Sequence, residues 1–180
     1  TGSGSLTKVG TGELTLTGNN TFSGPTTILA GTLLLTGGGH LSSNISLKGG
    51  KFSLGAGTSI NVSQLNISTD TASAIGGNGT FTGNLNFSSP TSTVAPGNSP
   101  GDLHFTGDQT WSAFTYQWQV NDFTANNPGT ASDLVEINGS LILTDHPGSY
   151  GLDVASLMAD NTVGNVPHFS ETPETWTILT

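Results

Sequence analysis

Gly97-Asn98-Ser99-Pro100-Gly101 has the spacing of a nucleophile elbow, G-x-S-x-G. In that motif a serine hydroxyl is raised on a strand-to-helix turn and the N–H of the following residue stabilises an oxyanion. Pro100 has no N–H to give and no helical pattern follows it, so the spacing reads as a Pro-Gly turn. Acid–base chemistry is the next thing the residue types allow, with twelve carboxylates against three lysines and no arginine. An enzyme that cleaves acidic polysaccharides holds its substrate and takes its proton with Arg or Lys, and no Lys follows Lys51. A glycosidase needs only two carboxylates, for which Asp102, Asp108, Asp122, Asp133 and Glu136 are the candidates. Glu136 alternates with Val135 and Ile137 and so faces water, and the aspartates mostly adjoin Gly or Asn in turns. No catalytic residue is expected.

Metal chemistry finds equally little support. His40, His104, His146 and His168 are widely separated, with no i, i+4 or H-x-H spacing, and read as surface or loop residues. Gly76-Gly77-Asn78-Gly79-Thr80-Phe81 begins like a calcium-binding nonapeptide, but Phe81 stands where the ligating aspartate belongs. A dry corner is the plainer reading, and neither metal nor cofactor is expected.

Aromatic residues concentrate late in the chain, at Trp111, Phe114, Tyr116, Trp118, Phe123 and Trp176. If exposed, Trp111, Tyr116 and Trp118 would be contacts for a glycan or a partner, stacking on sugar rings as in an adhesin. Strict alternation from Phe114 to Val120 instead puts Phe114, Tyr116, Trp118 and Val120 on one face, which favours a broad core face closing a wide C-terminal coil.

The elements that would position these groups are very short. Apolar residues recur with period two in Leu14-Thr15-Leu16, Ile45-Ser46-Leu47, Phe52-Ser53-Leu54, Leu85-Asn86-Phe87 and Leu103-His104-Phe105. Gly-rich and Asn-rich breaks separate them and supply sharp corners. No apolar 3.6-residue period persists for ten residues before residue 150, so the fold is all-β. Sandwiches and barrels use hairpins, yet Asn78-Gly79 and Asn138-Gly139 are the two Asn-Gly pairs on offer. Gly-bounded units recurring roughly every 18 to 22 residues match one coil of a β-helix. Ladders of Thr, Ser and Asn suit such coils, and they explain how a chain with 8% charged residues stays hydrated.

Residues 6–33 fill a longer pattern, L-x-K-x-G-x-G-x-L-x-L-x-G-x-N-x-F-x-G-x-T-x-I-x-x-G-x-L, from Leu6, Lys8, Gly10 and Gly12 through to Ile28, Gly31 and Leu33, with Asn20 or its neighbour at the Asn position. This closely resembles the autotransporter-associated β-strand repeat, also called the passenger-associated transport repeat. The Pro96-Gly97-Asn98-Ser99-Pro100-Gly101 turn, the coil from Ser132 to Leu141 and the final Trp176-Thr177-Ile178 resemble downstream segments of proteins that carry it. The resemblance implies a single-stranded right-handed parallel β-helix exported to the bacterial surface or beyond, and no catalytic residue. Ten-residue membrane strands of a translocator barrel are not seen.

These readings combine into one domain, with solenoid coils over residues 1–143 and further C-terminal coils with a long loop over 144–180, in which the segment from Asp153 to Asp160 reads as a strand running into a short helix or loop. Net charge is −9, and all three basic residues, Lys8, Lys48 and Lys51, lie in the first third. Nucleic acid and anionic membranes are therefore poor partners, and no run of residues suits membrane insertion. A solenoid's ends are open ladders over exposed core, which implies end-to-end self-association or continuation by more chain. The expected role is a structural segment of a secreted or cell-surface protein, either a passenger-like stalk or a self-assembling fibre or layer subunit. A glycan-binding adhesin is the alternative, and a polysaccharide-degrading β-helix comes after it.

Overall fold

The computed structural model describes residues 2–67, 71–97, 100–123, 127–144, 149–158, 160, 162–165 and 179–180. Ser99, His146, His168, Trp176, Pro167 and Pro173, each singled out or discussed in the sequence, lie outside them. The described chain is a parallel β-solenoid. One sheet has β2 (Glu13–Leu16), β5 (Thr32–Leu35), β8 (Lys51–Leu54), β11 (Ala74–Gly77), β13 (Ser88–Pro96), β16 (Ala113–Val120) and β19 (Tyr150–Ser156), stacked in that order. A second holds β1 (Leu6–Lys8), β4 (Thr26–Ile28), β7 (Ile45–Leu47) and β10 (Leu65–Ile67). A third holds β9 (Ser59–Asn61), β12 (Thr80–Thr82), β14 (Asp102–Thr106) and β17 (Leu134–Asn138). The pairs β3 (Asn19–Asn20) with β6 (His40–Leu41), and β15 (Gln109–Trp111) with β18 (Leu141–Leu143), complete the corners. Every one of these strand pairs is parallel. Among the described residues, a 3-10 turn at Val62–Gln64 interrupts the strands.

Register turns the sequence alternation into columns. Leu14 lies against Leu33 and Leu33 against Phe52, then Ile75, Val94, Tyr116 and Leu152 follow in turn. The steps between successive members run 19, 19, 23, 19, 22 and 36 residues. The first five agree closely with the spacing expected from the Gly-rich breaks. The last is longer because the chain leaves the stack after Val120 and returns at Ser132, which bridges Val120 in antiparallel sense before β17 begins.

The interior grows more aromatic along the axis. Phe52, Phe81 and Phe105 follow one another, with ring centroids 6.3 and 5.6 Å apart. Trp111 meets Phe105, Phe87 and Phe114 edge-on at 5.3, 5.2 and 4.8 Å. Such offset and edge-to-face pairs add about 0.5–1.5 kcal/mol each beyond area burial. Phe114, Tyr116, Trp118 and Val120 are all buried, as the alternation in β16 implied. The segment after residue 150 forms a regular strand, β19, on the outer edge of the large sheet.

Candidate functional site

One constellation of chemically capable side chains forms on the outer face of the third sheet. Asp102 and His104 are two residues apart on β14, so they share a face, and His104 stands directly opposite Glu136 on β17. His104 Nε2 is 3.2 Å from Asp102 Oδ2, and its Nδ1 is 3.2 Å from Glu136 Oε2. The three side chains are between a third and a half exposed. His104 and Glu136 border a shallow cleft of about 200 Å³ completed by Thr80, Phe105, Thr106 and Asn138. Partial burial pushes the Asp102 carboxyl up from its ordinary range, against the pull of His104 and reinforced by the nearby Glu136 charge. Asp102 and Glu136 thus converge, each on a different nitrogen of the same imidazole.

His104 was read from sequence as a surface or loop residue; it is a partly exposed strand residue whose neighbours are Asp102 and Glu136. The signal available in the sequence was the shared apolar-polar-apolar alternation of Leu103-His104-Phe105 and Val135-Glu136-Ile137, which pair in register. The other candidate carboxylates are elsewhere. Asp108 Oδ1 accepts the Ser140 N–H at 2.8 Å. Asp133 is fully buried, and its oxygens accept the N–H groups of Gly101 and Gln119 at 2.7 and 3.0 Å. Burial raises the Asp133 carboxyl to about 7, opposed first by those two N–H groups and then by the Lys51 charge. Lys51 is pulled below its ordinary value by its own burial.

The aromatic contact residues proposed for a glycan or partner are in the core. Trp111 is 0% exposed, Tyr116 5% and Trp118 6%, so none offers a ring face to a sugar. They point inward because the alternation of β16 matches the apolar columns of the preceding coils, and the exposed-strip reading is corrected accordingly. Phe81, at the position a calcium-binding aspartate would take, is likewise fully buried. Gly97 and Gly101, the glycines of the G-x-S-x-G spacing, approach so closely that a Cβ on Gly97 would lie 2.3 Å from the Gly101 Cα.

The first coil shows what its unusual residues do. Lys8 is buried, and its Nζ donates to the carbonyls of Val9, Gly10 and Ala30 at 2.9, 2.7 and 3.0 Å. Gly31, at φ +66°, sits under this group, and a Cβ there would fall 2.4 Å from the Gly10 and Gly12 oxygens and 2.6 Å from Nζ. Asn20 donates to Gly18 and, in the next coil, to His40. Asn20 is thus an asparagine that joins two successive coils. Residues 6–8 lie on 26–28 and residues 13–16 on 32–35, so the segment is a coil stacked on its own continuation.

Residues 6–35 match the passenger-associated-transport-repeat family. No curated protein and no solved structure matches the chain. Within the matched segment, Lys8 and Asn20 bond backbone across coils, and Gly24 and Gly31 sit where a Cβ would collide with the neighbouring coil. Beyond the repeat the same device recurs with different residues: Asn78 Oδ1 accepts from Asp102 N, Asn84 Oδ1 from Thr110 N, and Gln109 Oε1 from Leu85 N.

Proposed function

We propose that the chain is a non-catalytic structural segment of a secreted or cell-surface bacterial protein, a passenger-like stalk whose coils carry length and surface. The observation that supports this most directly is the use made of the polar side chains. Lys8, Asn20, Asn78, Asn84, Asp108, Gln109 and Asp133 each bond backbone roughly one coil away, 20 to 32 residues distant in sequence. Groups that might have served a substrate are thereby committed to joining successive coils. The repeat at 6–35 supports export to the cell surface or beyond. An antibody raised against the 180-residue protein should label intact cells of the source bacterium or its culture medium; labelling confined to permeabilised cells would overturn the assignment.

The same reading extends to assembly. Leu152 and Val154 continue the inward columns of Tyr116 and Trp118, and Leu143 continues that of Trp111, yet they are 54%, 57% and 51% exposed. Charge is also polarised, since the basic residues belong to the early coils while ten of the twelve carboxylates follow residue 100. Both features support contact of this face with the opposite end of a further stack, in the chain or in a second copy. Sedimentation velocity should show association that rises with concentration, falls with salt and is abolished by Leu152→Lys with Val154→Lys. A monomer at every concentration would remove the second-copy arm.

A further inference from the structure

We propose that Asp102, His104 and Glu136 bind a single divalent transition-metal ion of the zinc class. One donor atom from each residue lies within 4.8 Å of the other two. A zinc-like ion with bonds of about 2.0–2.2 Å needs its donors roughly 3 to 4 Å apart, a change that carboxylate rotations on a solvent-facing strand supply. The donor set is one imidazole and two carboxylates, which suits zinc or manganese more than calcium, whose sites are built from oxygens alone. Two carboxylates with a neutral imidazole balance the ion's charge.

Two further observations favour a cation over a simple ion-paired histidine. Asp102 Oδ1 is buried and has no hydrogen-bond partner among the described residues, although its sister oxygen faces His104. A carboxylate oxygen withdrawn from water without a donor carries an uncompensated cost that a ligated ion removes. The backbone around the ligands is also fixed. Asp102 N–H is held by Asn78 Oδ1, and five consecutive residue pairs join β14 to β17, so the three donors rest on rigid strands and not on loops. The cleft beside them, bordered by Thr80 and Asn138, leaves room for waters to complete the coordination. The ion takes the lone pair of one imidazole nitrogen, and the other nitrogen keeps its N–H.

The test is calorimetric titration of zinc chloride into the 180-residue protein, with circular dichroism to confirm folding of each variant. One ion per chain is expected. His104→Gln and Glu136→Gln should each weaken binding by about tenfold or more, whereas His40→Gln, on a different sheet pair, should leave it unchanged. Cobalt(II) should give visible absorption in the parent protein that His104→Gln removes. Glu136 is about half exposed, so its variant keeps the test readable if the histidine variant is unstable. Absence of saturable binding, or binding unchanged by both substitutions, would overturn the proposal and leave the histidine as an ion pair between two acids.

Discussion

Asp133 Oδ1 receives the N–H of Gly101 at 2.7 Å, across 32 residues and from one coil to the next. The carboxyl is fully buried and raised to about 7, chiefly by that burial. The folded chain thus holds the Asp133 proton more tightly than the unfolded chain, whose carboxyl titrates near 3.8. Its contribution to stability is complete below about pH 4 and is lost as pH rises towards 7, an effect on the order of 4 kcal/mol as an upper bound. Melting temperatures of the parent should therefore fall across pH 4–7 relative to those of Asp133→Asn and run parallel above it. Parallel curves throughout would show that the proton is not coupled to folding.

The Lys8 corner gives a second expectation. Lys8→Met keeps the aliphatic stem but strips three carbonyls of their donor, at a cost of about 2 kcal/mol. Gly31→Ala should cost about 3 kcal/mol or more, because the positive φ and the nearby oxygens of Gly10 and Gly12 both resist a side chain. Urea unfolding midpoints would measure both, and a Gly31→Ala variant as stable as the parent would contradict the corner geometry.

Trp111 and Trp118 should respond differently to the same change. Trp118 Nε1 donates to the Asp133 carbonyl at 2.8 Å, while Trp111 Nε1 is buried with no hydrogen-bond partner among the described residues. Trp111→Phe removes an unsatisfied donor and so returns part of the packing it loses, giving a net cost under about 2 kcal/mol. Trp118→Phe leaves a carbonyl without its partner and should cost more. Trp111→Ala should cost about 3–5 kcal/mol through the cavity it opens.

Gln109 is fully buried and makes three bonds, accepting from Leu85 N–H and donating to the carbonyls of Gly83 and Gly107. Gln109→Leu fits the volume but orphans all three backbone groups, so a loss of about 3 kcal/mol is expected in thermal or urea unfolding. Near-neutrality would mean that water reaches this corner.

The solenoid was legible in the sequence because both its signals are local. Period-two runs such as Phe52-Ser53-Leu54 fix which side chains turn inward, and glycine corners such as Gly37-Gly38 fix where the chain bends. The side-chain roles were less legible. Lys8 in a sequence of few charges looks like a surface cation, and nothing in its neighbours reveals the Ala30 carbonyl 22 residues on. The His104 cluster escaped for a related reason: Glu136 joins it through β-ladder register, and the excursion between Val120 and Ser132 breaks the spacing that would have aligned them.

The cross-coil bonds also set an order of assembly. Since most partners in the stack lie about twenty residues apart, each new turn needs only its predecessor as a template, and little of the chain must be present for the early turns to close. Shortening the protein after residue 107 should leave amide exchange slow at Ile28 and Leu47, both fully buried. A polymer built this way can solidify progressively as it emerges from a narrow pore, and each completed turn then acts as a ratchet against backsliding.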